Sequence, residues 1–179
     1  GEESIGQRAD DSKAVGIIPQ DKHLGKVRRI RERLPELKHV IVVDHDDAKK
    51  RLREADGEVG YTQDAHRVPE FPIFPTYAES PSVLHYTSGT TGKPKGALHV
   101  HASVIAQYLS SKVVLDLRDD DIYWCTADPG WVTGTSYGII GPWVMGVTQV
   151  VLDAGYSSDR WYETIEKHKV TKTILVPTM

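Results

Sequence analysis

The spacing of apolar positions changes along the chain, and this change predicts a mixed α/β fold. Short continuous apolar runs bounded by polar residues or proline are typical of strands that are buried on both faces. Such runs occur at residues 14–18, 39–43, 82–86, 122–125, 149–152 and 173–176. Apolar residues at helical spacing predict helices over residues 22–34, 101–114, 134–145 and 157–168.

From residue 82 onward, the predicted strands and helices alternate. This order favours a mainly parallel sheet with flanking helices and right-handed crossovers. Ligands of such sheets bind outside the carboxyl ends of the strands. The segments expected at that edge are residues 87–92, 127–133 and 153–157. Ser157 or Ser158 is expected to cap the following helix, with Trp161, Tyr162 and Ile165 toward the core.

The pattern weakens over residues 44–81, where acidic and basic residues alternate and four prolines follow. This composition indicates a long surface connection, with one helix near residues 48–55. The spacing of its acidic residues fits no metal-ligand template, so a solvated loop is favoured.

The composition is typical of a globular protein domain and argues against several other classes of protein. The 179 residues are 39% hydrophobic and 26% charged with a net charge of −3, as in an ordinary globular domain, and no nucleic-acid partner is indicated. No apolar run is long enough to span a membrane. Cys125 is the single cysteine, which excludes a disulfide framework and favours a reducing, cytoplasmic environment.

Two polar patterns have simple explanations. The predicted helix over residues 22–34 has a basic face, for which a solvated surface is favoured over an acidic or nucleic-acid partner. His99 and His101 lie two apart, but no third ligand has suitable spacing, so no metal site is predicted.

One stretch, Tyr86-Thr-Ser-Gly-Thr-Thr-Gly-Lys-Pro-Lys-Gly96, combines the groups that hold a phosphate chain. Glycines let backbone N–H groups approach an anion, hydroxyls donate hydrogen bonds, and lysine adds positive charge. It is not a P-loop of the NTPase kind, because two residues rather than four separate Gly89 from Gly92, and Pro94 follows Lys93. We predict a phosphate-binding hairpin; a flexible turn without a ligand is the alternative.

This stretch resembles the phosphate-loop signature of the adenylate-forming enzymes, which include acyl-CoA synthetases, luciferases and peptide-synthetase adenylation domains. A second stretch, Asp121-Ile-Tyr-Trp-Cys-Thr-Ala-Asp-Pro-Gly-Trp-Val-Thr-Gly134, is similar to the acetyl-CoA synthetase branch, the AMP-forming acetate–CoA ligases. The resemblance extends more loosely over almost the whole chain. It implies that residues 1–179 are an internal part of a large N-terminal, AMP-binding domain, within which residues 44–81 are a connecting segment and from which the C-terminal domain is absent.

The resemblance also implies a reaction. A carboxylate attacks the α-phosphate of ATP to give an acyl-adenylate and pyrophosphate, and the thiol of coenzyme A then displaces AMP. ATP, Mg²⁺ and coenzyme A are the implied cofactors, and acetate, ATP and coenzyme A are the implied partners. The family residues that bind adenine, ligate Mg²⁺ and assist adenylation have no counterpart here, so we expect neither catalytic residues nor activity from this chain alone.

Roles for individual residues follow from matching positions. Those matching the contacts to the β- and γ-phosphates are Thr87, Ser88, Gly89, Thr90, Thr91, Gly92 and Lys93, with Lys95 at the mouth. The acyl-pocket wall matches Trp131, Val132 and Thr133, and Thr133 also matches a position near the coenzyme A channel. Ser157 matches a further coenzyme A contact, although the three residues before it depart from the family pattern. Simple core packing is the alternative for Trp131 and Val132.

Two other functions remain open at this point. A ligase for another short-chain acid, such as propionate, would use the same chemistry, and a small apolar pocket separates acids that differ by one methylene by only about 1–3 kcal/mol. A non-catalytic nucleotide-binding module would bind ATP without forming pyrophosphate.

Overall fold

The computed structural model of the chain describes residues 1–43, 52–61, 72–87 and 94–175. The chain divides into two compact units. Unit 1 comprises Gly1–Pro75 and Tyr86–Ala97, and unit 2 comprises Thr76–His85 and Leu98–Met179. Each unit contains a three-stranded parallel sheet with flanking helices, so the predicted fold class is confirmed.

Unit 1 is built on the sheet order β1-β2-β3. Its elements, in chain order, are α1 (Glu2–Asp11), β1 (Gly16–Ile17), α2 (Asp21–Ile30), β2 (His39–Val42) and β3 (Glu58–Gly60). Ile17 pairs with Val40 and Ile41 pairs with Val59. The strand β3 lies within the predicted connecting segment and was not predicted, because Glu-Val-Gly contains no apolar run. Residues 48–51 of the helix predicted near residues 48–55 lie outside the described residues. Residues 52 and 53 are not helical, and residues 54–56 form a 3₁₀ turn.

The core of unit 1 forms where the apolar stripe of α2 meets the sheet. Leu24, Val27 and Ile30 on α2 are buried, and so are Val40 and Val42 on β2. The helical spacing in the sequence predicted this stripe. Each such side chain contributes about 1.5–3 kcal/mol when it is fully removed from water.

The basic face of α2 is partly neutralised within the unit. Arg29 pairs with Glu2 and Arg33 pairs with Glu3, both on α1. Arg28 forms a two-pronged pair with Glu58, in which Nε and a terminal nitrogen donate over 2.8 and 2.6 Å. Carboxylates of the chain itself therefore pair with three of the basic side chains on this face.

Glu58 is a buried carboxylate that joins β3 to α2. Its side chain is 1% exposed and also accepts a hydrogen bond of 2.8 Å from the backbone N–H of Arg53. The Arg28 guanidinium holds the pKa of Glu58 below its ordinary value of 4.5. The ionised form is thus favoured in the folded state, and its stabilisation is present above the unfolded pKa and is lost as pH falls through the folded pKa.

Glu58→Gln is expected to lower the free energy of unfolding near pH 7 by about 2–3 kcal/mol, because Gln cannot reproduce the charged two-pronged pair. The difference between variant and parent should shrink as pH falls below 4.5, the ordinary pKa of the carboxyl, and through the lower pKa of Glu58 in the folded state. Urea denaturation of both chains across this range measures it. An equal difference at neutral and acid pH would contradict this account of Glu58.

Strand β4 (Pro81–Thr87) pairs with β5 (Lys95–Val100) in a separate two-stranded sheet. This corrects one detail of the sequence analysis, which placed residues 82–86 at the start of the parallel sheet. The hairpin expected around the phosphate-loop stretch agrees with this pairing. The boundary between the units crosses both strands.

Unit 2 is built on the sheet order β7-β6-β8. Its elements after β5 are α3 (Val104–Val113), β6 (Ile122–Cys125), α4 (Val132–Thr135), α5 (Gly141–Met145), β7 (Thr148–Val150), α6 (Ser158–His168) and β8 (Lys172–Ile174). A π-helix, Ser136–Ile140, joins α4 to α5. Trp124 pairs with Val150 and with Thr173, so β6 is the central strand.

Burial in unit 2 differs from expectation in several places; Val151, for example, lies in a run predicted to be a buried strand and is 82% exposed. Tyr123 and Leu117 are buried in the core, but Tyr162, predicted to face the core, is 63% exposed. The helical stretch over residues 132–145 is not buried all round, because Trp143 and Val144 are exposed. Within the described part of the chain, no helix is both long and apolar enough to cross a membrane.

Candidate functional site

A cleft of about 610 Å³ opens at the carboxyl ends of β6 and β7 in unit 2. Two of the three segments predicted at that edge line it. The lining residues are 124–129 from the end of β6 onward, 149–152 and 154–157 from β7 onward, Gly134, Gly138, Ile139 and Trp143 from the helical stretch, and Arg160 and Trp161 from α6. The expectation that ligands bind outside the carboxyl ends of parallel strands therefore pointed to an edge of the sheet where a cleft exists.

Aromatic rings form much of the cleft wall. Trp124 of β6 and Trp161 of α6 stack with ring centroids 6.0 Å apart. Gly138 lies close to Cys125, because a Cβ added to it would be 3.4 Å from the sulfur. The side-chain amide of Gln149 donates to the carbonyl of Gly138 in the π-helix. The cleft thus has an apolar lining with few polar groups, which is typical of small-molecule sites.

Cys125 in the cleft and Tyr123 beneath it are not activated. Burial raises the pKa of the Cys125 thiol and raises that of the Tyr123 hydroxyl far above its ordinary value. Both groups are therefore neutral near pH 7, and a protonated thiol is a poor nucleophile. The absence of catalytic residues from this chain stays a prediction. The apolar lining and the neutral thiol and phenol favour binding of a ligand in the described cleft over chemistry by these two groups.

Asp128 and Arg160 are the charged residues among the described lining of the cleft. Arg160 donates from its guanidinium to the carbonyl of Gly155 over 2.6 Å, which fixes the loop after β7. Its backbone N–H donates to Ser157 Oγ over 3.3 Å, so Ser157 caps α6 as predicted. Ser157 also lines the cleft, and its contact with coenzyme A stays a prediction.

The predicted acyl-pocket residues lie beside the cleft. Trp131 is 57% exposed and Val132 is 44% exposed, while Thr133 is half-buried. The alternative that Trp131 and Val132 pack in the core of this unit is therefore wrong. None of the three residues lines the cleft itself, but the next residue, Gly134, does.

Only the two ends of the phosphate-loop stretch are described. Thr87 ends β4 and Lys95 begins β5, and both are exposed. Ser88, Gly89, Thr90, Thr91, Gly92 and Lys93 lie outside the described residues. Tyr86, at the base of the stretch, donates its hydroxyl to Asp11 Oδ2 over 2.6 Å, and burial raises its pKa. This contact anchors the end of β4 to the residue that ends α1, and no pattern of residues indicated it beforehand.

Metal-binding side chains do not gather in the described ranges, where no group of three or more His, Cys, Asp or Glu residues could hold an ion. The rings of His85 and His99 meet edge to face across β4 and β5, with centroids 5.4 Å apart. His101 begins a 3₁₀ turn after β5.

Arg160, Gly138 and Gln149 were not predicted to be site residues, and Trp161 was predicted only to face the core. Their approach to the cleft depends on how α6 and the π-helix lie over the sheet. The position of Ser157 as N-cap gave a partial signal, because it placed the first turn of α6 at the carboxyl edge.

Comparison with known proteins agrees with this geometry. The family described as AMP-binding enzyme matches residues 1–179. An acetyl-coenzyme A synthetase of Bacillus subtilis (strain 168) is 40% identical over 177 residues, covering 99% of this chain and 30% of that protein. An acetyl-coenzyme A synthetase of Xanthomonas oryzae pv. oryzae is 51% identical over 106 residues, covering 56% of this chain and 16% of that protein.

A solved structure has the same fold. The crystal structure of an acyl-CoA synthetase of Brucella canis matches with a TM-score of 0.86 and 25% identity, covering 99% of this chain and 31% of that one. The chain thus spans about 30% of the length of the Bacillus relative.

Proposed function

Because the chain belongs to the AMP-binding enzyme family, we propose that it forms part of a ligase that activates acetate with ATP and transfers the acetyl group to coenzyme A. The observation that supports acetate best is the 40% identity to an acetyl-coenzyme A synthetase over 99% of the chain. The chain would be an incomplete part of the N-terminal, AMP-binding domain, with residues 44–81 as its connecting segment. We place the enzyme in the cytoplasm, which suits a chain with a single cysteine.

In the proposed reaction, an oxygen of acetate attacks the α-phosphorus of ATP and pyrophosphate leaves. The thiol of coenzyme A then attacks the acetyl carbon, the carbonyl carbon–oxygen bond breaks, and AMP leaves with that oxygen. The obstacle in the first step is the approach of an anion to a polyanion. Preorganised donors and positive charge on the phosphates lower this barrier.

The stretch from Thr87 to Lys95 would meet this need. Its exposed ends, Thr87 and Lys95, belong to paired strands, so the sheet holds both ends of the stretch. We assign to Thr87, Ser88, Gly89, Thr90, Thr91, Gly92 and Lys93 the β- and γ-phosphates, and to Lys95 the mouth of the site. Lys93 would supply the positive charge and the hydroxyls would donate hydrogen bonds.

The acyl and coenzyme A ends of the reaction would lie in unit 2. Trp131, Val132 and Thr133 would wall the acetyl group, and the exposure of the first two side chains leaves them free to contact a ligand. Thr133 and Ser157 would contact coenzyme A, and Ser157 already lines the cleft. Mg²⁺ is expected for the whole enzyme, but the described residues form no cluster that fits it, and no step here depends on it.

The test is product analysis with a full-length ligase that carries these residues, supplied with ATP, coenzyme A and either acetate or propionate. We expect AMP, pyrophosphate and acetyl-CoA, with a higher kcat/KM for acetate. A higher value for propionate would assign the enzyme to another short-chain acid. Formation of ADP with either acid would contradict the proposed function.

The 179-residue chain alone is expected to release no pyrophosphate from ATP and acetate. Because it spans about 30% of the length of the Bacillus relative, the groups that hold adenine and complete the adenylation site would lie elsewhere in the longer protein. A sensitive pyrophosphate assay, with the full-length ligase as the positive control, checks this. Measurable turnover by the 179 residues would show that they contain a complete site.

A further inference from the structure

The turn after β6, together with the short helix α4 that follows it, combines a hydrogen-bonded backbone with partly exposed side chains. We call residues 128–135 the Trp-Val corner. Trp131 and Val132 at its centre are 57% and 44% exposed, so the described residues of unit 2 cover these two side chains only in part. Their position therefore depends strongly on the backbone beneath them.

One side of the Trp-Val corner is held by Asp128. Its carboxylate Oδ1 accepts a hydrogen bond of 2.6 Å from the backbone N–H of Gly130. Its carbonyl accepts one of 2.9 Å from the backbone N–H of Trp131. The side chain and the main chain of Asp128 thus both hold the backbone that leads to Trp131.

The other side is held by Gly134 and Thr135. A Cβ on Gly134 would lie 1.9 Å from the carbonyl oxygen of Asp128, so the two backbone segments are in direct contact there. Thr135 Oγ1 donates to the carbonyl of Pro129 over 2.7 Å. The backbone N–H of Thr135 donates to the carbonyl of Trp131 over 2.9 Å. These contacts close the corner into a small hydrogen-bonded loop.

We propose that Asp128 and Thr135 are positioning residues for acid selectivity, which act by fixing the Trp-Val corner. This inference rests on the proposed function, in which Trp131 and Val132 wall the acyl group. Pocket side chains exclude an acid with an extra methylene only if the longer acid cannot displace them. Hydrogen bonds that hold the backbone beneath these side chains resist such displacement. Loosening the supports admits a longer acid and weakens the hold on acetate.

Thr135→Val in a full-length ligase that carries these residues tests the proposal, because Val keeps the side-chain volume and removes the donor. We expect the ratio of kcat/KM for acetate to kcat/KM for propionate to fall about tenfold, with KM for ATP unchanged. Thr135→Ser retains the hydroxyl and should retain the parent ratio. Thr164→Val is the matched control, because Thr164 Oγ1 donates to the Arg160 carbonyl over the same 2.7 Å on α6.

Asp128 provides an independent pair of variants. Asp128→Asn keeps an oxygen that accepts from Gly130, whereas Asp128→Ala removes it. We expect Ala, but not Asn, to shift the acid ratio in the same direction as Thr135→Val. If Thr135→Val fails to fold, this pair of variants still tests the positioning role in acid selectivity.

The outcomes are distinct. A ratio that stays at the parent value in Thr135→Val and Asp128→Ala, or that moves equally in Thr164→Val, would overturn the positioning role while leaving the ligase function intact. A parent enzyme that uses neither acetate nor propionate would overturn the proposed function itself, and the inference with it.

Discussion

Lys93→Ala in a full-length ligase that carries these residues is expected to lower kcat/KM for ATP about a hundredfold and to leave KM for acetate nearly unchanged. The proposed role of Lys93 is to place positive charge on the β- and γ-phosphates as pyrophosphate leaves. Removing one preorganised donor from such a site typically costs a factor of about 10²–10³ in rate. Acetate-dependent exchange of labelled pyrophosphate into ATP measures this step without coenzyme A.

The matched control is Lys112→Ala. Lys112 is an exposed lysine on α3 whose ammonium donates to the Tyr108 hydroxyl over 3.0 Å. Both variants remove one positive charge, so a general effect of net charge on ATP binding would appear in both. Equal exchange rates in Lys93→Ala and the parent would remove Lys93 from the phosphate site.

Gly134→Ala is expected to destabilise unit 2 by about 3 kcal/mol or more, because overpacking a site with no free volume forces the backbone apart. The added Cβ would lie 1.9 Å from the Asp128 carbonyl oxygen and 2.8 Å from Pro129 Cα, and neither is the mobile end of a side chain. Urea denaturation followed by tryptophan fluorescence measures the loss, with the buried Trp124 as a reporter within this unit.

Gly155→Ala is the matched control, because a Cβ at Gly155 meets nothing within 4 Å. It should change the free energy of unfolding by less than about 0.5 kcal/mol, as most surface substitutions do. If both glycine variants unfold at the same urea concentration as the parent, the close approach of residues 128 and 134 is not a feature of the folded protein.

Much of the fold could be predicted because its strands are apolar runs. Ile122–Cys125 forms β6 as predicted, and the predicted boundaries of α6 differ by one residue, because Ser157 gives a clear capping signal. The helix α1 could not be predicted, since it contains no buried residue and therefore shows no apolar stripe. The strand β3 could not be predicted either. Its buried residue is the charged Glu58, whose partner on α2 lies 30 residues away in the chain.

The candidate site was predictable only in part. The rule for parallel sheets identified the segments after β6 and β7, because chain order alone determines which strand ends share an edge. It could not identify Trp161 or Gln149, since their approach to the cleft depends on the tilt of α6 and on the π-helix. The exposure of Trp131 and Val132 could not be predicted from residue type, because Trp and Val are ordinarily core residues; only the resemblance placed them at a pocket wall.

The most direct test of the proposed adenylation uses acetate labelled with ¹⁸O in its carboxylate, given to a full-length ligase that carries these residues together with ATP and coenzyme A. Attack of the acetate oxygen on the α-phosphorus predicts that each AMP formed gains one ¹⁸O and that pyrophosphate gains none. Label in inorganic phosphate, or AMP without label, would show that the carboxylate does not attack the α-phosphate and would contradict the proposed adenylation.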